Sequence, residues 1–120
     1  FALTDESSAS DIFKEYCLRL NEGDTKLLLK KLAPTRLVTN SFRDRVEAAE
    51  GRGASAEELR ELLGRGRAKK GIFEGDLEEG ELEIGQVAAL FRRRQSVDEV
   101  MKELLEGYRR ASDKIRSAGL

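Results

Sequence analysis

The feature that most constrains the fold is a long amphipathic stripe near the end of the chain. Ser96 and Glu99 form a capping box, in which each side chain pairs with a backbone N–H that the first helical turn leaves free. Behind the box, apolar residues recur every three or four positions: Val97, Val100, Met101, Leu104, Leu105, Tyr108, Ala111 and Ile115. This spacing predicts a helix of about 20 residues within 97–120, with an apolar face that needs a partner.

Shorter helices and a small extended element are predicted upstream. Ser8 or Ser10 is expected to cap a helix over residues 10–21. Pro34 separates two apolar segments, residues 25–32 and 35–40, and because proline fixes φ and removes a donor, these read as strands around a turn.

Two further capping patterns and a glycine-rich stretch follow. Ser41 with Asp44 predicts a helix to about residue 50, and Ser55 with Glu58 predicts another that Gly64 ends. Residues 64–80 hold five glycines, which favours turns, whereas helical spacing returns over 82–93. The 120 residues allow one domain, and the predicted fold is mostly α with a small hairpin-like extended element.

Composition excludes several classes of function. The chain has no histidine, so the commonest general base and metal ligand is missing, and one cysteine allows no internal disulfide. Twenty-two basic residues against 23 acidic ones argue against binding to nucleic acid or to an anionic membrane. No apolar run is long enough to span a bilayer and no signal peptide is evident, so we expect a cytoplasmic protein.

Two charged segments and the cysteine invite chemical hypotheses. Residues 64–71 carry four cations that could grip phosphate or nucleic acid, but six acidic residues follow within 74–83 and favour a charge-paired turn. The acidic segment lacks the ligand spacing of a calcium loop, because Leu77 interrupts it. Cys17 falls on the apolar face of the first helix and is expected to be buried. We therefore predict no metal site and no catalytic residue in this chain.

Several segments in a fixed order resemble one family of enzymes. They are the opening Phe1-Ala2-Leu3-Thr4-Asp5-Glu6-Ser7-Ser8-Ala9, Phe13-Lys14, Asp24-Thr25, Ala33-Pro34-Thr35-Arg36, Asn40-Ser41-Phe42, Phe73-Glu74-Gly75-Asp76-Leu77-Glu78-Glu79-Gly80 and Gly85-Gln86-Val87-Ala88. Together they are similar to the C-terminal part of the FMN-dependent enoyl-ACP reductase II and nitronate monooxygenase (2-nitropropane dioxygenase) family. The resemblance covers about 110 of the 120 residues.

The resemblance implies a flavin-binding (β/α)8 barrel with its active site at the C-terminal face. Reductases of this family pass hydride from NAD(P)H through FMN to a 2-enoyl thioester, and monooxygenases oxidise alkyl nitronates. By the same resemblance, Gly85 and Gln86 are expected near the cofactor and Glu83 near the substrate, where family members often have Met. Ser10 replaces a frequent His.

The family's phosphate cradle and catalytic histidine would lie upstream of Phe1, so the sequence is expected to be a fragment, inactive when isolated. Residues 1–24 would supply the end of the last barrel strand and the last barrel helix, 25–96 an elaboration over the active-site mouth, and 97–120 the terminal helix. The implied partners are the missing barrel portion and a small-molecule or acyl-thioester substrate, and a homodimer is allowed. The alternative function is an autonomous helical protein-interaction module.

Overall fold

The structure is a computed structural model that describes residues 1–119. It contains four α-helices and one two-stranded sheet in this order: α1 Asp11–Cys17, β1 Thr25–Leu28, β2 Thr35–Val38, α2 Ser41–Gly51, α3 Ala56–Leu63 and α4 Val97–Ser117. A π-helical turn, Lys69–Phe73, and a 3-10 turn, Gln86–Leu90, lie between α3 and α4. The described chain is thus mostly helical with one hairpin, as predicted.

Two compact units divide the chain. One combines Phe1–Ser7 with residues 94–119, and the other is Ser8–Arg93. The core of the second unit packs the hairpin against α2 and α3, and consists of Leu28, Leu29, Leu37, Phe42, Val46, Ala49, Ala54 and Leu59. The apolar faces of α2 and α3 are therefore packed inside this unit.

The hairpin forms where proline predicts it. β1 and β2 pair antiparallel, with Thr25 opposite Val38 and Leu28 opposite Thr35. The strands stop four residues after they start, and Leu29 then adopts a left-handed backbone (φ 57°) while its side chain is buried. The extended segments are shorter than the predicted 25–32 and 35–40, because the chain turns at Leu29 to bring this side chain into the core.

The predicted N-terminal cap is confirmed for three helices and wrong for one. Ser10 accepts a hydrogen bond from the Phe13 N–H at 3.2 Å, and the capping boxes at Ser55 and Ser96 are both present. The cap of α2, however, is Asn40 rather than Ser41: its Oδ1 accepts from the Arg43 N–H at 2.8 Å. Asn40 is preferred because its amide also reaches distant carbonyl groups, described below.

Two predicted helices end earlier or do not form. α1 stops at Cys17 because the chain tightens into i to i+3 bonds, from the Arg19 N–H to Tyr16 O and from the Leu20 N–H to Cys17 O. The helical prediction for 82–93 is mostly wrong. There, Leu82 O accepts from the Val38 N–H at 2.8 Å, and Glu83 bridges Leu37 in antiparallel fashion. Pairing with β2 takes the backbone groups that a helix would need, and only the 3-10 turn remains helical.

The first unit is built around α4. The Asp5 N–H donates to Gln95 O at 3.0 Å, the Glu6 carboxylate accepts from the Val97 N–H at 3.0 Å, and Arg94 pairs with Asp5 at 2.9 Å. The residues before α1 thus fix the start of α4. From Val97 to Ser117 no side chain of α4 is buried in the described chain, and residue 120, the last of the predicted terminal segment, lies outside the described residues.

Candidate functional site

The three residues predicted near cofactor and substrate lie on one segment beside the hairpin. Glu83 is held next to β2 by its bridge to Leu37. Gly85 then adopts an extended conformation (φ −67°, ψ 151°), and Gln86 begins the 3-10 turn. The structure therefore places Glu83, Gly85 and Gln86 on one continuous surface segment of the unit Ser8–Arg93.

Gly85 and Gln86 leave space for a ligand. Both are exposed, and a Cβ added at Gly85 would meet nothing within 4 Å among the described residues. This chain's own packing does not require a glycine there, so the open approach at Gly85 is available to another molecule. The Gln86 amide offers one acceptor and two donors.

A second carboxyl group, which sequence reasoning missed, lies beside Glu83. Glu81 is only 8% exposed, and burial is the largest cause that raises its pKa from 4.5 to about 7. A side-chain hydrogen bond with Glu83 and the negative charge of Glu83 raise this pKa further, whereas Arg67 lowers it. Such a carboxyl–carboxylate hydrogen bond needs one proton, so the pair holds a proton near neutral pH.

The spacing of the pair becomes informative only once the local backbone is known. In an extended segment, residues two apart point to the same side. Glu81 and Glu83 therefore share a side beside β2, where Glu83 bridges Leu37, while Leu82, 1% exposed, turns into the core. Recognising this required knowing that residues 81–83 are extended rather than helical.

Asn40 fixes the segment that leads into the pair. Its Nδ2 donates to Leu77 O at 3.0 Å and to Gly80 O at 2.8 Å. The Phe42 N–H adds a bond to Glu78 O at 3.0 Å. These bonds attach residues 77–80 to the first turn of α2 and so determine where Glu81 and Glu83 emerge.

A close glycine contact supports the same segment. A Cβ added at Gly80 would lie 2.2 Å from the Gly71 Cα and 2.4 Å from Asp76 O. Both atoms belong to the backbone and cannot move away cheaply. Gly80 therefore has to be glycine for the π-helical turn to approach residues 76–80.

Most of the cationic side chains of residues 64–71 are bound to other groups of this chain. Arg67 donates to Leu62 O at 3.2 Å, Leu63 O at 2.8 Å and Glu79 O at 2.7 Å, and its guanidinium lies 4.4 Å from the centre of the Phe42 ring. Lys69 pairs with Glu74 and Lys70 with Asp76. These contacts match the interpretation of 64–83 as a charge-paired turn.

Cys17 is buried as predicted, with 0% exposure. Burial raises the pKa of its thiol to about 12. A thiol with such a pKa is protonated at neutral pH and is not a nucleophile.

The donor set near Gly85 fits the edge of a flavin ring or a carbonyl oxygen, and it does not fit a phosphate. The Gln86 amide can donate to and accept from such a group, and exposed apolar residues follow in Val87, Leu90 and Phe91. The 3-10 turn, Gln86–Leu90, carries no cation. Among residues 1–119 there is no group of three His, Cys, Asp or Glu side chains that could hold a metal ion, and no helix in that range is long and apolar enough to cross a membrane.

The chain that carries the hairpin, its bridged third segment and the helices around them matches a known family of enzymes. The family described as nitronate monooxygenase matches residues 1–107, and the chain belongs to this family. The suggested family is thereby confirmed.

Two solved structures are similar to the chain over nearly its whole length. FabK from Thermotoga maritima matches with a TM-score of 0.84 at 25% identity, covering 97% of this chain and 37% of that one. A methionine-to-alanine mutant of FabK from the same organism matches with a TM-score of 0.78 at 22% identity, covering 97% and 34%. This chain therefore spans little more than a third of the length of these structures. A comparison with curated proteins found no match.

Proposed function

We propose that this chain is the C-terminal part of an FMN-dependent oxidoreductase of the enoyl-ACP reductase II type. The observation that carries the proposal is the similarity to FabK at 25% identity over 97% of the chain, together with membership of the nitronate monooxygenase family. The reaction would pass hydride from NAD(P)H through FMN to a 2-enoyl thioester. Oxidation of nitronates is the second candidate, and the description of the matching family favours it.

FMN, bound mainly by the barrel portion, would supply the hydride-transfer chemistry. This chain would contribute the edge of the active site. The Gln86 amide would hydrogen-bond a carbonyl or ring edge, and Gly85 would allow close approach of the backbone. Glu83, next to the substrate, would place a carboxylate where relatives often have an apolar contact. This carboxylate would share a proton with Glu81 through their side-chain hydrogen bond.

The catalytic residues and the phosphate cradle would lie in the barrel portion, so the isolated 120-residue chain is expected to be inactive. That barrel portion is the first partner we propose, and an acyl thioester or a small nitronate is the substrate. The protein would act in the cytoplasm.

The complete reading frame provides the test. The purified protein should be yellow, and NADH or NADPH should bleach it without oxygen. Adding a 2-enoyl thioester, still without oxygen, should restore the colour if the reductase proposal holds. Loss of colour on adding an alkyl nitronate to the oxidised protein in place of NADH or NADPH, with recovery when oxygen is admitted, would favour the monooxygenase. A colourless protein that binds no added FMN would refute both.

The role of Gln86 has its own test. Gln86→Ala removes one hydrogen-bonding group, worth about 0.5–1.5 kcal/mol, so FMN or substrate should bind roughly 2–10-fold more weakly. Glu57→Gln, on an exposed position of α3, is the matched control and should leave binding unchanged. Equal binding by the wild type and Gln86→Ala would refute the assignment.

An autonomous helical interaction module is the alternative function. The observation that favours it is the unburied apolar face of α4. Under this alternative the purified 120-residue chain should melt cooperatively and bind no flavin when the barrel portion is supplied. Molten behaviour of the chain alone, with flavin binding by the complete protein, would exclude it.

A further inference from the structure

We propose that Glu81 is a positioning residue for the ligand site at Gly85 and Gln86. By sharing a proton with the Glu83 carboxyl group, Glu81 holds the residues that lead into this site against β2, and loss of the proton loosens them. The consequence for ligand binding rests on the proposed function, whereas the consequence for the backbone does not.

The Glu81 carboxyl group is anchored by the backbone around it. The Glu81 N–H donates to Arg67 O at 3.0 Å. The next residue, Leu82, accepts from the Val38 N–H at 2.8 Å. Leu82 is 1% exposed and Glu81 only 8%. Because backbone bonds fix both residues, a change at this carboxyl group is expected to move the residues that follow rather than Glu81 itself.

Glu83, in contrast, lies on the surface. It is exposed, and both an antiparallel bridge with Leu37 and the side-chain hydrogen bond with Glu81 attach it to the unit. Gly85 follows two residues later in an extended conformation, and Gln86 begins the 3-10 turn. The hydrogen bond between the two carboxyl groups therefore acts on the backbone that leads directly to Gly85.

This hydrogen bond exists only while the pair holds a proton. Two ionised carboxylates have acceptors and no donor. When the proton leaves, the hydrogen bond is lost and two negative charges face each other, one of them buried, which is costly. Glu83 is the member of the pair that can move into solvent, and its movement would loosen the bridge to Leu37 and the chain up to Gln86.

The charged groups around Glu81 do not replace this proton. Arg67 lowers the pKa of Glu81. However, its guanidinium already donates to three other groups: Leu62 O, Leu63 O and Glu79 O. On the neighbouring elements, charged side chains have partners of their own: Lys69 with Glu74, Lys70 with Asp76, Arg45 with Glu79, and Arg36 of β2 with the Thr25 carbonyl. The Glu81 carboxyl group therefore depends on the proton that it shares with Glu83.

The pH range of the effect follows from the same contacts. Burial, and then the hydrogen bond with Glu83 and the charge of Glu83, raise the pKa of Glu81 from 4.5 to about 7. A group with a raised pKa keeps its proton at pH values where an ordinary carboxyl group has lost it. Residues 83–86 are therefore held against β2 below about pH 7 and loosened above it.

The first test measures hydrogen exchange of residues 83–86 in the complete protein encoded by the gene, without added FMN, over roughly pH 5.5–8.5. After correction for the intrinsic rate at each pH, exchange in the wild type should rise about 2–10-fold across this range, as the loss of one hydrogen bond implies. Glu81→Gln, and Glu83→Gln at the exposed position, keep a hydrogen bond that needs no extra proton and should show no such rise. Glu57→Gln is the control and should behave as the wild type. No rise in the wild type, or an equal rise in either variant of the pair, would overturn the proposal.

The second test measures the Kd for FMN of the complete protein over the same pH range. Dividing the wild-type Kd by that of Glu81→Gln removes the titration of FMN itself, and this ratio should rise about 2–10-fold as the pH passes through about 7. A constant ratio, with exchange of residues 83–86 changing as described, would overturn the role of Glu81 in the ligand site. If neither protein binds FMN, the proposed function fails and the ligand role fails with it, whereas the exchange measurement still decides whether the shared proton holds the backbone.

Discussion

Replacing Asn40 should show how much of the fold depends on one amide. Its Nδ2 donates to two carbonyl groups and its Oδ1 caps α2. Asn40→Ser keeps a capping oxygen but cannot reach Leu77 O and Gly80 O. Losing the donor for two partly buried carbonyls should cost about 2 kcal/mol of the free energy of unfolding. Asn40→Ala also removes the cap and should cost about 1 kcal/mol more.

Urea denaturation followed by the helical circular dichroism signal would measure these losses. Ser41→Ala is the matched control, because Ser41 is exposed and should change the free energy of unfolding by less than about 0.5 kcal/mol. Asn40→Asp sharpens the comparison: aspartate caps as well as asparagine, but its carboxylate would face the two carbonyl oxygens. If Asn40→Asp were as stable as the wild type, or Ser41→Ala as unstable as Asn40→Ser, the argument would be refuted.

Three further predictions concern the buried parts of the same unit. Gly80→Ala forces a methyl group to within 2.2 Å of the Gly71 Cα and should lower the free energy of unfolding, measured by urea denaturation, by about 1–3 kcal/mol. The control is Gly51→Ala, whose methyl group meets nothing within 4 Å and which should raise the free energy of unfolding by up to about 1 kcal/mol. Equal effects of the two substitutions would contradict the steric argument. Because the folded-state pKa of Glu81 is raised to about 7, the folded protein binds the extra proton, and wild-type stability relative to Glu81→Gln should fall as pH rises from about 4.5 to about 7. A pH-independent difference between the two proteins would show that Glu81 does not titrate in that window. Cys17, fully buried with its pKa at about 12, should react with a thiol reagent at once in urea and only slowly without it, and rapid reaction of the native protein would contradict its burial.

Local signals predicted the helix starts well. The capping boxes at Ser55 and Ser96 depend on residues three apart, so the sequence carries all the information that they need. The hairpin likewise follows from Pro34 and the apolar segments beside it.

Long-range contacts explain the failures. Asn40 rather than Ser41 caps α2 because its amide finds carbonyl partners 37 and 40 residues away. Residues 82–83 pair with β2 instead of forming a helix for the same reason. No spacing rule in the local sequence contains these partners, since they exist only after the hairpin and residues 77–80 have come together.

Some residues of the candidate site could be named from the sequence, and one could be found only from the fold. The resemblance to the family named Glu83, Gly85 and Gln86, and their functional roles stay predictions. Glu81 could not be found without the fold, because its raised pKa comes first from burial that tertiary packing produces.

The bridge between β2 and residues 82–83 has a consequence for the ligand site that we propose at Gly85 and Gln86. Since backbone bonds already order the chain just before Gly85, a molecule arriving there has little loop entropy to remove. Substitutions at Gln86 should therefore change how long a ligand stays rather than how fast it arrives.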